Sequence, residues 1–158
     1  MALIHEKLYR SQDLAQINLS DYLEGLVFNL FDSYNVNEEH IQLQLNSESI
    51  YLNIETATPC GLIVNELVSN TMKHAFPDDR EGTVVIECHQ HSNQEIHLII
   101  SDNGIGFPED LDFQDTESMG FQVVCTLIEQ LEGTIELDRA NGTTFHLRFS
   151  ELQYQKRL

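Results

Sequence analysis

The chain has 158 residues, 41% of them hydrophobic, which suits one compact domain, and no apolar run approaches the roughly 20 residues of a membrane span. Twenty-six acidic residues against 8 basic give a formal net charge of -18, a field that repels nucleic acid and anionic membrane and sets both aside as partners. Cys60, Cys88 and Cys125 are scattered and in no C-x-x-C pattern, which argues against a disulfide framework or structural zinc, and the early charges of the N-terminus argue against a signal peptide, so a cytoplasmic protein with buried free thiols is expected.

Residues Ala2–Gln16 read as an amphipathic helix with Leu3, Ile4, Leu8 and Ala15 apolar. After a break at Asn18–Ser20, Ser20 is placed to cap a helix from Asp21 to about Tyr34, with Leu23, Leu26, Val27, Leu30 and Phe31 at helical spacing. Alternation predicts short strands around Ile41–Leu45 and Tyr51–Ile54. Thr58-Pro59 reads as a helix start, since Pro suits the first turn, and that helix runs to about Ala75 before the turn-rich loop Pro77–Gly82. Thr83–His91 and Glu95–Asp102 form a hairpin, with Val84, Ile86 and Cys88 on one face and Ile96, Leu98 and Ile100 on the other strand's inner face. A Gly-punctuated acidic loop spans Asn103–Met119, followed by a helix from Gly120 to about Leu131 and the strands Thr134–Asp138 and Thr143–Phe149. One apolar and one mixed face per strand indicates the α+β class: a two-layer α/β sandwich with a mixed, mostly antiparallel sheet and helices on one face.

Four stretches carry chemistry. On the helix 59–75, Glu66, Asn70 and Lys73 fall at i, i+4 and i+7 and share one stripe. An amide oxygen suits Mg²⁺, an ammonium suits a phosphate and a carboxylate can act as a base, although alone the stripe also reads as an ordinary solvated face. In Ser101-Asp102-Asn103-Gly104-Ile105-Gly106 an Asp closes a strand and two glycines follow; Asn-Gly also signals a plain hairpin turn, but a long acidic loop follows where the next strand would be. Ser118-Met119-Gly120 opens a helix whose free N–H groups could meet phosphate, and Thr143 or Thr144 could offer a hydroxyl to a base. His89 and His97 face each other across the hairpin, but His89, His91, His97 and His146 lack a carboxylate in clear ligand spacing, and metal binding there is not expected.

The order of these stretches is more specific than any one of them. Thr58–Asn70 with Lys73-His74-Ala75-Phe76 resembles the N box of sensor histidine kinases, Asp102–Phe107 their G1 box, Ser118-Met119-Gly120 their G2 box and Gly142-Thr143-Thr144-Phe145 their closing strand. The segment Ala2–Tyr9 is similar to one that recurs in a subgroup of two-component kinases. The resemblance implies a Bergerat-type ATP-binding fold of the gyrase, Hsp90, histidine kinase and MutL group. It implies a remnant of the dimerisation and phosphoacceptor helix region at 1–16, the catalytic domain at 17–150 and a tail at 151–158. It further implies ATP and Mg²⁺ as ligands, with Asp102 on adenine, Gly104 and Gly106 shaping the pocket and Asn70 on the metal. Lys73 and His74 would face the phosphates, Ser118 and Gly120 would sit at a phosphate-facing helix start, Thr143 and Thr144 would lie near the base, and Glu66 would stand where related ATPases carry a base. The implied reaction moves the γ-phosphoryl group to a histidine on a helix absent from this chain, for a response regulator, with a homodimer possible in the full-length protein. The net charge does not forbid ATP, because two unit charges ~10 Å apart in water repel by only about 0.4 kcal/mol before screening. Two alternatives use the same fold: a nucleotide-binding regulatory module without transfer, and an anti-sigma-factor-like serine kinase. The absence of Arg and Lys from Asn103 to Asp138 motivates the first of these.

Overall fold

The computed structural model describes residues 16–33, 40–74, 81–105, 119–140 and 142–152. The predicted helix 2–16, save Gln16, and most of the loop 103–119 lie outside the described residues, as do Gly106 and Ser118. Chain order is β1 (Ile17–Asn18), α1 (Leu19–Ser33), β2 (Ile41–Ser47), β3 (Tyr51–Leu52), α2 (Ile54–His74), β4 (Gly82–Gln90), β5 (Ile96–Asp102), α3 (Met119–Gln130), β6 (Thr134–Asp138) and β7 (Thr143–Phe149).

The main sheet runs β2-β4-β5-β7-β6, with β2 parallel to β4 and every other neighbour antiparallel. Strict alternation along β4, β5 and β7 sends Val84, Ile86, Cys88, Ile96, Leu98, Ile100, Phe145, Leu147 and Phe149 to one buried face. The three helices cover that face, and their apolar stripes complete the core with Leu23, Leu26, Val27, Ile63, Val64, Leu67, Val68, Val124 and Ile128. The predicted two-layer sandwich is therefore the observed one, and the strands β6 and β7 fall on the predicted residues.

Helices α1 and α2 start earlier than expected. Helix α1 begins at Leu19, and the Asp21 amide donates to Asn18 Oδ1 at 3.3 Å, so Asn18 is the cap and Ser20 lies inside the first turn. Helix α2 begins at Ile54, five residues before Pro59, because Asn53 caps it. Asn53 Oδ1 accepts from the Thr56 amide at 2.9 Å and from the buried Thr56 hydroxyl at 2.7 Å. The cap is locked from the far end of the chain: the Asn53 amide donates to Glu151 Oε2, Asn53 Nδ2 to the Leu152 carbonyl, and the Leu152 amide to Thr56 Oγ1. Pro59 consequently sits inside the helix, where it withholds a donor from the carbonyl of Glu55, an exposed residue. Close approach of α1 to α2 depends on Gly61: a Cβ there would collide with the Tyr22 ring. Cys60 and Cys88 are buried and Cys125 is half-buried; burial pushes the Cys88 thiol up to about 12 and raises Cys60 as well, so both are poor nucleophiles.

Candidate functional site

The apolar ladder on the inner face of the sheet stops at one end. There, the place next after Ile100 is taken by Asp102 and the place next to Phe145 by Thr143, which are direct register partners. Both are buried. A carboxylate at such a position needs donors to offset its desolvation. Asp102 Oδ1 accepts the Gly104 amide at 2.9 Å, and Thr71 Oγ1, which also approaches the Leu67 carbonyl at 3.1 Å, lies 3.4 Å from Asp102 Oδ2. An ionised carboxylate has about four lone-pair sites and can accept several hydrogen bonds at once.

Asn103 does not form a hairpin turn. Its side-chain oxygen accepts the Thr83 amide at 2.7 Å and its amide donates to the Thr83 carbonyl at 3.3 Å, so it clamps the end of β5 to the start of β4. On the other side Gly142 takes φ 81, and a Cβ there would run into the Asp102 carbonyl and Asn103 Cα. Only glycine lets β7 enter this close to the Asp102 backbone.

Helix α2 forms the facing wall, and its contact with Asp102 is Thr71. Glu66 and Asn70 are half-buried and Lys73 is exposed on the neighbouring stripe. The Asn70 Nδ2 atom is buried and, among the described residues, has no hydrogen-bond partner. A buried amide in that condition is costly unless a ligand meets it. Since the two ends of an amide are interchangeable by a flip, the same position can present the oxygen, which fits a hard cation. His74 is the last residue of α2, and Gly120 lies in the first turn of α3, which packs beside α2. Thr144 falls on the opposite face of the sheet, paired with Ser101, and does not join Asp102. Thr71 was not among the expected site residues. Its signal was legible: it is i+4 from Leu67 and i+3 from Val68, a polar residue on the buried stripe of the helix.

A mixed sheet with helices on one face, and a buried carboxylate closing its central strand opposite the middle helix, defines an ATP-binding α/β sandwich. The chain belongs to the histidine kinase-, DNA gyrase B- and HSP90-like ATPases, whose family model matches residues 55–153; a second model, described as histidine kinase, matches residues 1–34. Within that family it is a catalytic ATP-binding domain of the sensor histidine kinase kind. It is 30% identical over 152 residues to the sensor histidine kinase PdtaS of Mycobacterium tuberculosis, covering 94% of this chain and 30% of that protein. The histidine kinase domain of the Erythrobacter litoralis EL346 blue-light activated histidine kinase superposes with a TM-score of 0.81 at 25% identity, over 90% of this chain and 69% of that one. The anti-sigma F factor of Clostridium novyi is 31% identical over 101 residues, 57% of this chain and 68% of that protein. The chain thus spans about 30% of the length of the sensor kinase it matches. Among the described residues, no helix is long and apolar enough to cross a membrane.

Proposed function

We propose that this domain holds Mg-ATP between α2, the end of β5 and the start of α3, and transfers the γ-phosphoryl group to a histidine imidazole on a phosphoacceptor helix, from which it passes to a response regulator. The observation that carries the reading is the buried Asp102 carboxylate, held by Gly104 and Thr71 and faced by helix α2, whose Asn70 amide nitrogen has no hydrogen-bond partner among the described residues.

Asp102 accepts a hydrogen bond from the exocyclic amine of adenine, Gly104 and Gly106 let the backbone approach the ring, and the Thr143 hydroxyl borders the base, with Thr144 behind it on β7. Asn70 holds Mg²⁺ through its amide oxygen, a fit supported by its buried, unsatisfied amide. When bound, the ion supplies neutralisation of the phosphate charge. Lys73 and His74 at the end of α2, and Ser118 and Gly120 at the start of α3, face the phosphates. The imidazole nitrogen forms the new P–N bond as the bond from the γ-phosphorus to the bridging oxygen breaks and ADP leaves. Glu66 accepts the N–H proton of the attacking ring. The full-length protein works as a homodimer in the cytoplasm.

A second reading has support of its own. The similarity to an anti-sigma F factor, and the lack of any Arg or Lys from Asn103 to Asp138, fit a domain that phosphorylates a serine or only binds nucleotide. Labelled ATP, incubated with this chain and a separately supplied histidine-bearing helix pair, separates these. Label stable to alkali and labile to acid supports the histidine kinase reading; alkali-labile phosphoserine, or binding without transfer, overturns it.

A further inference from the structure

The open face of the sheet, opposite the helices, gathers four of the seven histidines of the chain: His89 on β4, His91 just after it, His97 on β5 and His146 on β7. Register places His89 directly across from His97, but the close pair lies on the other side. His97 Nε2 and His146 Nδ1 are 3.0 Å apart on neighbouring strands, and the His91 ring stacks on His97 with centroids 5.9 Å apart. Left alone, the pair is an imidazole–imidazole hydrogen bond, with one nitrogen protonated. With both nitrogens bare it is a two-donor chelate.

We propose that His97 and His146 bind a divalent late-transition-metal ion of square-planar or octahedral preference, Cu²⁺ or Ni²⁺, between β5 and β7. Chelation requires the shared proton to leave and both rings to turn their lone pairs from each other toward one point; at the present spacing one geometry is then favoured. With metal–nitrogen bonds of about 2.05 Å, donors 3.0 Å apart subtend about 94° at the metal. That is the cis angle of square-planar or octahedral coordination, whereas a tetrahedral ion at the same bond length needs donors about 3.3 Å apart. Imidazole also suits these ions better than Mg²⁺, so the site is chemically separate from Asn70.

The surroundings favour a cation. The net charge of -18 raises the local concentration of cations, and Glu136 is the register partner of His146 across β6. The opposing charge is Arg148, register partner of His97, whose guanidinium lies 3.8 Å from Glu136 Oε2. Among the described residues no group of three His, Cys, Asp or Glu forms a closed metal cage, so water completes the coordination sphere and affinity is moderate. A bound ion staples β5 to β7, the strands that carry Asp102 and Thr143 at their other ends.

The test uses the whole chain without nucleotide. Cu²⁺ is added below one equivalent and its electron paramagnetic resonance spectrum is recorded, with calorimetric titration alongside. The expected result is one site of moderate affinity with two-nitrogen hyperfine structure. His97→Gln and His146→Gln should each weaken it at least tenfold and leave one-nitrogen spectra, while His89→Gln and Asn70→Ala leave it intact. All five proteins are compared by circular dichroism, so that loss of fold is seen as such. Spectra with oxygen donors alone in the folded wild type, or wild-type affinity retained in folded His97→Gln and His146→Gln, overturn the proposal. Neither outcome bears on ATP binding, which is absent from the experiment.

Discussion

Replacing Asp102 by Asn probes the base-recognition role with little disturbance of the fold. The amide is isosteric with the carboxylate. Its oxygen can keep the Gly104 amide, now at 2.9 Å, while its NH₂ turns to Thr71 Oγ1, now 3.4 Å from the second oxygen. Thr71 can accept there because its own hydroxyl hydrogen has the Leu67 carbonyl as an alternative at 3.1 Å. The cost to stability should thus stay within about 1 kcal/mol, the net worth of one ordinary hydrogen bond. The cost to ATP is larger, because a charged acceptor for the adenine amine is replaced by a donor that opposes it. A hydrogen bond to a charged group contributes about 1.5–3 kcal/mol, so ATP affinity should fall about 10- to 150-fold. A 6-oxo purine nucleotide such as ITP presents an acceptor at the same place and should lose less or gain. Calorimetric titration with ATP and ITP, beside urea unfolding of the same proteins, reads both effects. Unchanged ATP affinity in a folded Asp102→Asn protein would refute the reasoning.

Three further outcomes follow from the fold. Asn53→Ala removes the cap of α2 and its bond to Leu152, and should lower stability by about 2 kcal/mol in urea unfolding, from roughly 1 kcal/mol for each loss. Gly142→Ala must hold a side chain at φ 81 against the Asp102 carbonyl; it should cost at least about 2 kcal/mol and weaken ATP binding as well, since the displaced backbone is that of Asp102. His97 has a lowered pKa in the fold, chiefly from burial and then from Arg148, so the unfolded chain takes up its proton first as pH falls. Stability should therefore be complete above about pH 6.5 and decline as pH drops through that value toward the folded pKa, and His97→Gln, measured in chelator, should flatten this part of the profile.

What could be read from the sequence was what repeats. The period-two patterns of β4, β5 and β7 and the helical stripe Ile63, Val64, Leu67, Val68 fixed which residues turn inward, and their order fixed the family. Signals that depend on one side chain meeting a distant partner were not legible. Thr58-Pro59 matches the statistics of a helix start, yet Asn53 wins, because Glu151 and Leu152, nearly a hundred residues later, hold it in the capping position. Ser20 is as good a cap by type as Asn18, but β1 pairs with β3 and delivers the chain to the helix two residues earlier. The two-residue β1 is too short for any period to show, and of the strand that alternation predicts at Tyr51–Ile54 only Tyr51–Leu52 is strand, since Ile54 already opens α2. At the site, Asp102 stood out as the polar end of an apolar strand and Thr71 as a polar residue on a buried helical stripe, whereas the pairing of Asp102 with Thr143 required the register of β5 against β7.

The central claim is that Asp102 and Asn70 serve one bound nucleotide, and a crystal of the chain grown with Mg²⁺ and a non-hydrolysable ATP analogue tests it most directly. The account predicts the adenine amine within hydrogen-bond distance of Asp102 and a metal ion on the Asn70 amide oxygen in the same cavity. A nucleotide seated elsewhere, or these two side chains opening onto separate spaces, would contradict it.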